Sequence, residues 1–197
     1  SNKRKIKNQG VRQKPKIKPI PVGIEDFKEL IDSNYCIVDK TLMIKELIGN
    51  RSKISLITRP RRFGKTLNLS MIQRFFEKTE ESNAYLFENL KISYEGEEYL
   101  KHQGKYPVIT LSLKALKQPD YDKSIDFFKF IVQAEYKRHK KILENNKITD
   151  EEREIYKRIL SGKTNESEYG FSLKFLSDCL SEVYEKNVII LIDEYDV

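Results

Sequence analysis

Apolar residues recur along this chain with two different periods, and the alternation between them predicts a mixed α/β fold. Phe27, Leu30 and Ile31 share one face of a helix expected over 24–32. Leu42, Ile44, Leu47 and Ile48 mark a second helix, stopped by Gly49-Asn50. Leu67, Met71, Ile72, Phe75 and Phe76 repeat at the same spacing. A long helix is expected over 121–146, with Ile125, Phe128, Val132 and Tyr136 on one side. Another begins after Thr149, where Glu152 completes a capping box, and ends near Gly162. The last helix spans about 168–185. Short apolar runs separate the helices: 35–38, 54–57, Pro107–Leu113 and a buried run at Val188–Ile192. Strands alternating with helices predict a parallel sheet covered on both faces.

Composition narrows the class. The chain has 197 residues, 39% hydrophobic and 34% charged, which suits one charge-rich globular domain. No run of about 18 apolar residues exists, so no membrane span is expected, and the first residues lack the apolar core of a secretory signal. Cys36 and Cys179 lie far apart and form no metal-ligand spacing. Both are read as reduced and buried in a cytoplasmic protein.

The net charge of +7 changes meaning once it is located. Residues 1–18 contain Lys3, Arg4, Lys5, Lys7, Arg12, Lys14, Lys16 and Lys18 and no acid, leaving 29 basic against 30 acidic residues elsewhere. The expected organisation is a disordered basic tail at 1–18 and one domain over 19–197. Such an arm gives salt-sensitive, unspecific affinity for nucleic acid at most, and a solvated linker is the simpler reading.

The segment Ile54-Ser55-Leu56-Ile57-Thr58-Arg59-Pro60-Arg61-Arg62-Phe63-Gly64-Lys65-Thr66-Leu67 carries the strongest chemical signal. A strand, a loop and an amphipathic helix follow one another. Polyphosphate requires inward-pointing N–H groups, a cation and a helix N-terminus. Gly64 admits close backbone approach, Lys65 reaches the β- and γ-phosphates, and the Thr66 hydroxyl serves Mg²⁺. Arg59 stands where the general G-x-x-x-x-G-K-[ST] pattern has its first glycine. Four cations, Arg59, Arg61, Arg62 and Lys65, crowd seven residues, and an anionic ligand would offset their repulsion. Gly162-Lys163-Thr164 spells the same tripeptide without a preceding strand and is read as a surface turn.

Val188–Ile192 runs into Asp193-Glu194, the Walker B pattern. Asp193 is expected to hold Mg²⁺, and Glu194 to polarise an attacking water as general base. If Val108–Leu113 lies between the two motif strands in the sheet as it does in sequence, the chain joins the additional-strand (ASCE, AAA-like) division of P-loop proteins. An acid directly after the Walker B aspartate fits that division. Ser112 at this strand's end has two readings, a γ-phosphate sensor or a plain strand end, and the second is preferred.

The segments Pro21-Val22-Gly23-Ile24-x-x-Phe27, Tyr35-x-x-Val38-Asp39-Lys40-Thr41-Leu42-Met43-Ile44, Thr58-Arg59-Pro60-Arg61-Arg62-Phe63-Gly64-Lys65-Thr66 and Leu191-Ile192-Asp193-Glu194-Tyr195-Asp196 together resemble the AAA-ATPase-like family. Arg59 departs from the general P-loop but matches this family's version. The resemblance covers about residues 19–197. It implies a prokaryotic ATP- and Mg²⁺-binding P-loop core, with phosphate contacts from Arg59, Pro60, Arg61, Arg62, Phe63, Gly64, Lys65, Thr66 and Leu67. Metal contacts would come from Thr66 and Asp193, and catalysis from Lys65 and Glu194. Val22, Gly23 and Ile24 are implied as adenine contacts. Asp39, Lys40 and Thr41 would either organise the site or cap the following helix. Arg61 or Arg62 would act as an arginine finger, bind ground-state phosphate, or pair with acids such as Asp196. Longer family members often carry a PD-(D/E)xK nuclease-like domain, so the chain is expected to be an N-terminal part, truncated after the Walker B strand. An exposed sheet edge there would favour self-association. Two functions remain open, an Mg-dependent ATPase and a nucleotide-dependent interaction module without efficient hydrolysis. Nucleic-acid binding is expected only through the tail or a further domain.

Overall fold

The computed structural model describes residues 18–50, 64–116 and 121–193. The expected strand at 54–57, the loop residues Arg59 to Phe63, the acid Glu194 and the basic tail up to residue 17 lie outside these residues. In chain order the helices are α1 (Phe27–Asp32), α2 (Leu42–Gly49), α3 (Lys65–Phe76), α4 (Glu97–Leu100), α5 (Tyr121–Arg138), α6 (Asp150–Leu160) and α7 (Glu166–Tyr184). The strands are β1 (Val108–Ser112) and β2 (Ile189–Asp193), and short 3₁₀ turns fill much of 84–94, 114–116 and 140–144.

β1 and β2 pair in parallel, with Val108 opposite Ile189 and Ser112 opposite Asp193. Alternate residues of each strand feed two separate cores. Ile109 and Leu111 pack with Val132 and Tyr136 of α5 and Leu176 and Leu180 of α7. Val108, Ile189 and Leu191 face Met71, Ile72 and Phe75 of α3, together with Phe27 and Leu30 of α1. Phe27, Phe75 and Phe87 meet with ring centroids 5.2 Å apart in both pairs. The sheet is thus flanked by helices on both faces, as the alternation predicts. The expectation of a fully buried last strand needs correction. Ile190 and Ile192 are about half exposed, because α5 and α7 cover β1 on that face more fully than β2.

Polar end groups set the helix boundaries. Asp26 caps α1 by accepting from Lys28 N at 2.9 Å, so the helix begins at Phe27 and not at Ile24. The same carboxylate pairs with Arg74 and accepts from Ser70, which pins α1 to α3. The capping box at Thr149 and Glu152 forms as expected. The long helix predicted to 146 ends at Arg138, and a 3₁₀ turn over Lys140–Glu144 continues it. Residues 35–38 form no strand. Tyr35 N donates to Leu30 O and Cys36 N to Pro19 O, neither in a strand ladder, and Cys36 is exposed where burial was expected. Cys179 is buried, and burial pushes its thiol up to about 12.

The helix end at Arg138 has a structural reason. The edge of β1 away from β2 carries its own unpaired backbone groups, and side chains of α5 satisfy them. The Thr110 N–H donates to Glu135 Oε2 at 3.1 Å. Arg138 and the His139 Nε2 both donate to the Val108 carbonyl. Arg138 also holds Glu135 through two hydrogen bonds of 2.9 Å and reaches Glu77 at the end of α3. Among the described residues β1 is thus an edge strand closed by charged groups, a known defence against edge pairing, while the expected strand at 54–57, on which its place between two others depends, lies outside them.

Burial alone would raise the Glu135 carboxyl, but hydrogen bonds from His139 and Arg138, the Arg138 charge and the Thr110 N–H pull it down to about 2. A carboxyl depressed in the folded state adds stability above its unfolded range and loses it as pH falls toward the folded value. We expect the stability gap between wild type and Glu135→Gln, read by urea unfolding, to be widest above pH ~5 and to shrink steadily toward pH ~2. A gap independent of pH would show that the carboxylate charge is not what holds the edge.

Candidate functional site

Parallel pairing brings the carboxyl ends of β1 and β2 to one side of the sheet, where ligands bind in open α/β folds. Asp193 is the last residue of β2 and is 7% exposed. Its carbonyl accepts from Leu113 N at 2.8 Å, which extends the pairing one step past Ser112.

The second component is the start of α3. Gly64 has φ 71° and ψ 33°, a left-handed conformation that a side chain would strain. Its carbonyl accepts the first helical bond, from Asn68 N at 2.9 Å. Met71, Ile72 and Phe75 then seat α3 against the β1–β2 face, which directs its N-terminus over the end of β2. The Thr66 hydroxyl consequently donates to Asp193 Oδ2 at 2.6 Å, across 127 residues of sequence.

A third group joins them. After Ser112 the chain turns into the 3₁₀ segment Lys114–Leu116, and the Lys114 ammonium lies 3.2 Å from Asp193 Oδ2 while donating to the Thr66 hydroxyl. Among the described residues it also meets Glu25, at 3.5 Å, on the segment that leads into α1. The second carboxylate oxygen, Asp193 Oδ1, is buried and among the described residues has no hydrogen-bond partner. Such an atom is costly unless something occupies it. A hydroxyl and a carboxylate with a spare oxygen form a hard-oxygen donor set that suits Mg²⁺. Among the described residues no cluster of three or more His, Cys, Asp or Glu could hold a metal by itself.

The structure therefore brings Thr66 and Asp193 together. Lys65 opens the first turn of α3 beside Thr66, whereas Leu67 is partly buried against the core, so its side chain packs. Arg59, Pro60, Arg61, Arg62, Phe63, Glu194, Tyr195 and Asp196 lie outside the described residues. Ser112 is exposed at the strand end opposite Asp193. Of the three residues implied for adenine, Val22 is exposed, Gly23 is a left-handed turn residue, and Ile24 packs on the core.

Asp39 and Thr41 form a local hydrogen-bond cluster. Asp39 accepts from the Thr41 N–H and hydroxyl and from Lys91 N, while Thr41 Oγ1 accepts from Ile92 N. Thr41 makes no side-chain cap on α2. The pair ties the entry of α2 to the 3₁₀ turn at Lys91–Tyr94. The second Gly-Lys-Thr, at 162–164, follows the end of α6 with Gly162 exposed at φ 72°, a surface turn as expected.

Sequence reading missed Lys114. The available signal was its position: a cation just past the carboxyl end of a strand parallel to the one that ends in Asp193.

A family model described as "Predicted AAA-ATPase" matches residues 21–197. No curated protein and no solved structure gives a significant match to the chain.

The Thr66–Asp193 bond can be tested by isosteric replacement. Thr66→Val should lower stability in urea unfolding by about 1–3 kcal/mol, because it removes a hydrogen bond to a buried charge. Thr66→Ser should stay within about 0.5 kcal/mol of wild type, since the donor remains. A Thr66→Val variant no less stable than Thr66→Ser would mean that the hydroxyl bond to Asp193 adds nothing beyond side-chain packing.

Proposed function

The chain belongs to the AAA-ATPase-like family, and from that premise we propose that it binds Mg-ATP where α3 begins beside the end of β2. The observation that carries this reading is the Thr66–Asp193 hydrogen bond, which joins the two motif segments at the carboxyl end of the sheet. Among the described residues no helix is long and apolar enough to cross a membrane.

In this reading the N–H groups at the start of α3 and the loop from Arg59 to Phe63 surround the phosphates, with the helix dipole favouring their negative charge. Lys65 neutralises the β- and γ-phosphates. Thr66 and Asp193 hold Mg²⁺, which supplies charge neutralisation between the phosphates when bound. Glu194 accepts a proton from the attacking water, and Arg61 or Arg62 offsets charge on the transferring phosphoryl group. An acid directly after Asp193 supports the additional-strand division. Among the described residues β1 is an edge strand, so in this reading the inserted strand of that division would be another one.

Glu194 favours hydrolysis over a binding-only module. The test is phosphate release from Mg-ATP by wild type, Lys65→Ala and Glu194→Gln, with nucleotide binding measured in parallel. We expect Glu194→Gln to bind nucleotide but to lose turnover by about 10²-fold or more, and Lys65→Ala to lose both. A wild type that binds saturably without releasing phosphate would instead make this chain a nucleotide-dependent interaction module.

A further inference from the structure

We propose that Lys114 is a tethered counter-ion for the metal-binding pair: its ammonium occupies the ground between Thr66 and Asp193 that a divalent cation takes, and the cation must displace it. The proposal rests on the nucleotide site described above and assigns that site a residue that the sequence motifs do not contain.

Three features lead to it. The first is burial. Asp193 has a side chain 9% exposed, and a buried carboxylate left without a counter-charge is disfavoured. Among the described residues Lys114 supplies that charge, at 3.2 Å. The second is coincidence of ligands. Lys114 contacts the Thr66 hydroxyl and Asp193 Oδ2, the same two groups proposed for the metal, so ammonium and cation compete for one set of oxygens. The third is mobility at low cost. The Lys114 side chain is 31% exposed, and among the described residues it also meets Glu25, which is 69% exposed. The side chain is partly open to solvent, and its flexible four-carbon stem allows the ammonium to move without repacking the core.

Position in the fold explains the arrangement. The register that sets Ser112 opposite Asp193 places Lys114 two residues beyond the strand, where the 3₁₀ turn folds it back over the strand ends. Competition follows from charge. With Lys114 in place the pair is neutralised before any metal arrives, and binding a divalent cation must first break the ammonium contacts. The apparent affinity for free cation is reduced accordingly, and the pair accepts metal chiefly when it comes with the phosphates. Lys114 is thus a positioning residue that couples the metal to the nucleotide.

The test needs no nucleotide, so it stands or falls separately from ATP binding. Thermal unfolding of the full chain is followed in EDTA and in millimolar MgCl₂, with KCl matching the ionic strength. Lys114→Met should unfold about 2–4 °C below wild type in EDTA and recover by a similar amount, saturably, with Mg²⁺. Wild type and Lys114→Arg, which keep the charge, should show no such recovery. Lys114→Gln, which keeps length and polarity, should respond to Mg²⁺ as Lys114→Met does and serves where the methionine variant does not fold. Adding Asp193→Asn to either variant should abolish the response. A melting point equally indifferent to Mg²⁺ in all variants, or a response that survives Asp193→Asn, would overturn the proposal even if wild type binds Mg-ATP.

Discussion

The arrangement of this protein depends on how one buried carboxylate is compensated. Asp193 ends β2 inside the fold, at 7% exposure, where a charge is tolerated only with partners. Its partners arrive from two distant parts of the chain: the first turn of α3 supplies the Thr66 hydroxyl, and the turn after β1 supplies Lys114. Neither could reach Asp193 without the parallel register of β1 and β2, which aligns the two strand ends. Packing and chemistry are therefore linked. The apolar contacts of Met71, Ile72 and Phe75 aim the start of α3, and that start carries the hydroxyl.

A second polar system holds the other edge of the same strand. Glu135, Arg138 and His139 occupy the backbone groups of Val108 and Thr110, and Arg138 extends the network to Glu77 at the far end of α3. α3 is thereby fixed at both ends, through Thr66 to β2 and through Glu77 to α5. Removing a single partner from such a network leaves buried charges uncompensated.

Much of this was legible in the sequence, and the exceptions follow from distance. The helix at Lys65–Phe76 and the capping box at Thr149 and Glu152 depend on neighbouring residues, so local pattern finds them. Thr66 and Asp193 were readable as a pair because each sits in a recognisable local motif. The end of α5 at Arg138 was not, because it answers to the unpaired edge of β1, about thirty residues earlier. Tyr35–Val38 looked like a strand, but its alternation serves packing: Tyr35 and Ile37 meet the core while Cys36 and Val38 face outward. Lys114 carries no motif at all. Its importance comes from a parallel register, which no local spacing encodes.

The central claim is that Thr66 and Asp193 form the metal-binding half of a nucleotide site, and calorimetric titration of ATP into this chain tests it most directly. With Mg²⁺ present, wild type should bind at one saturable site. Chelation with EDTA, or Asp193→Asn, should weaken binding by about tenfold or more, the equivalent of about 1.4 kcal/mol. Identical affinity with and without Mg²⁺, and in Asp193→Asn, would contradict the account, because the hydroxyl–carboxylate pair would then take no part in holding nucleotide.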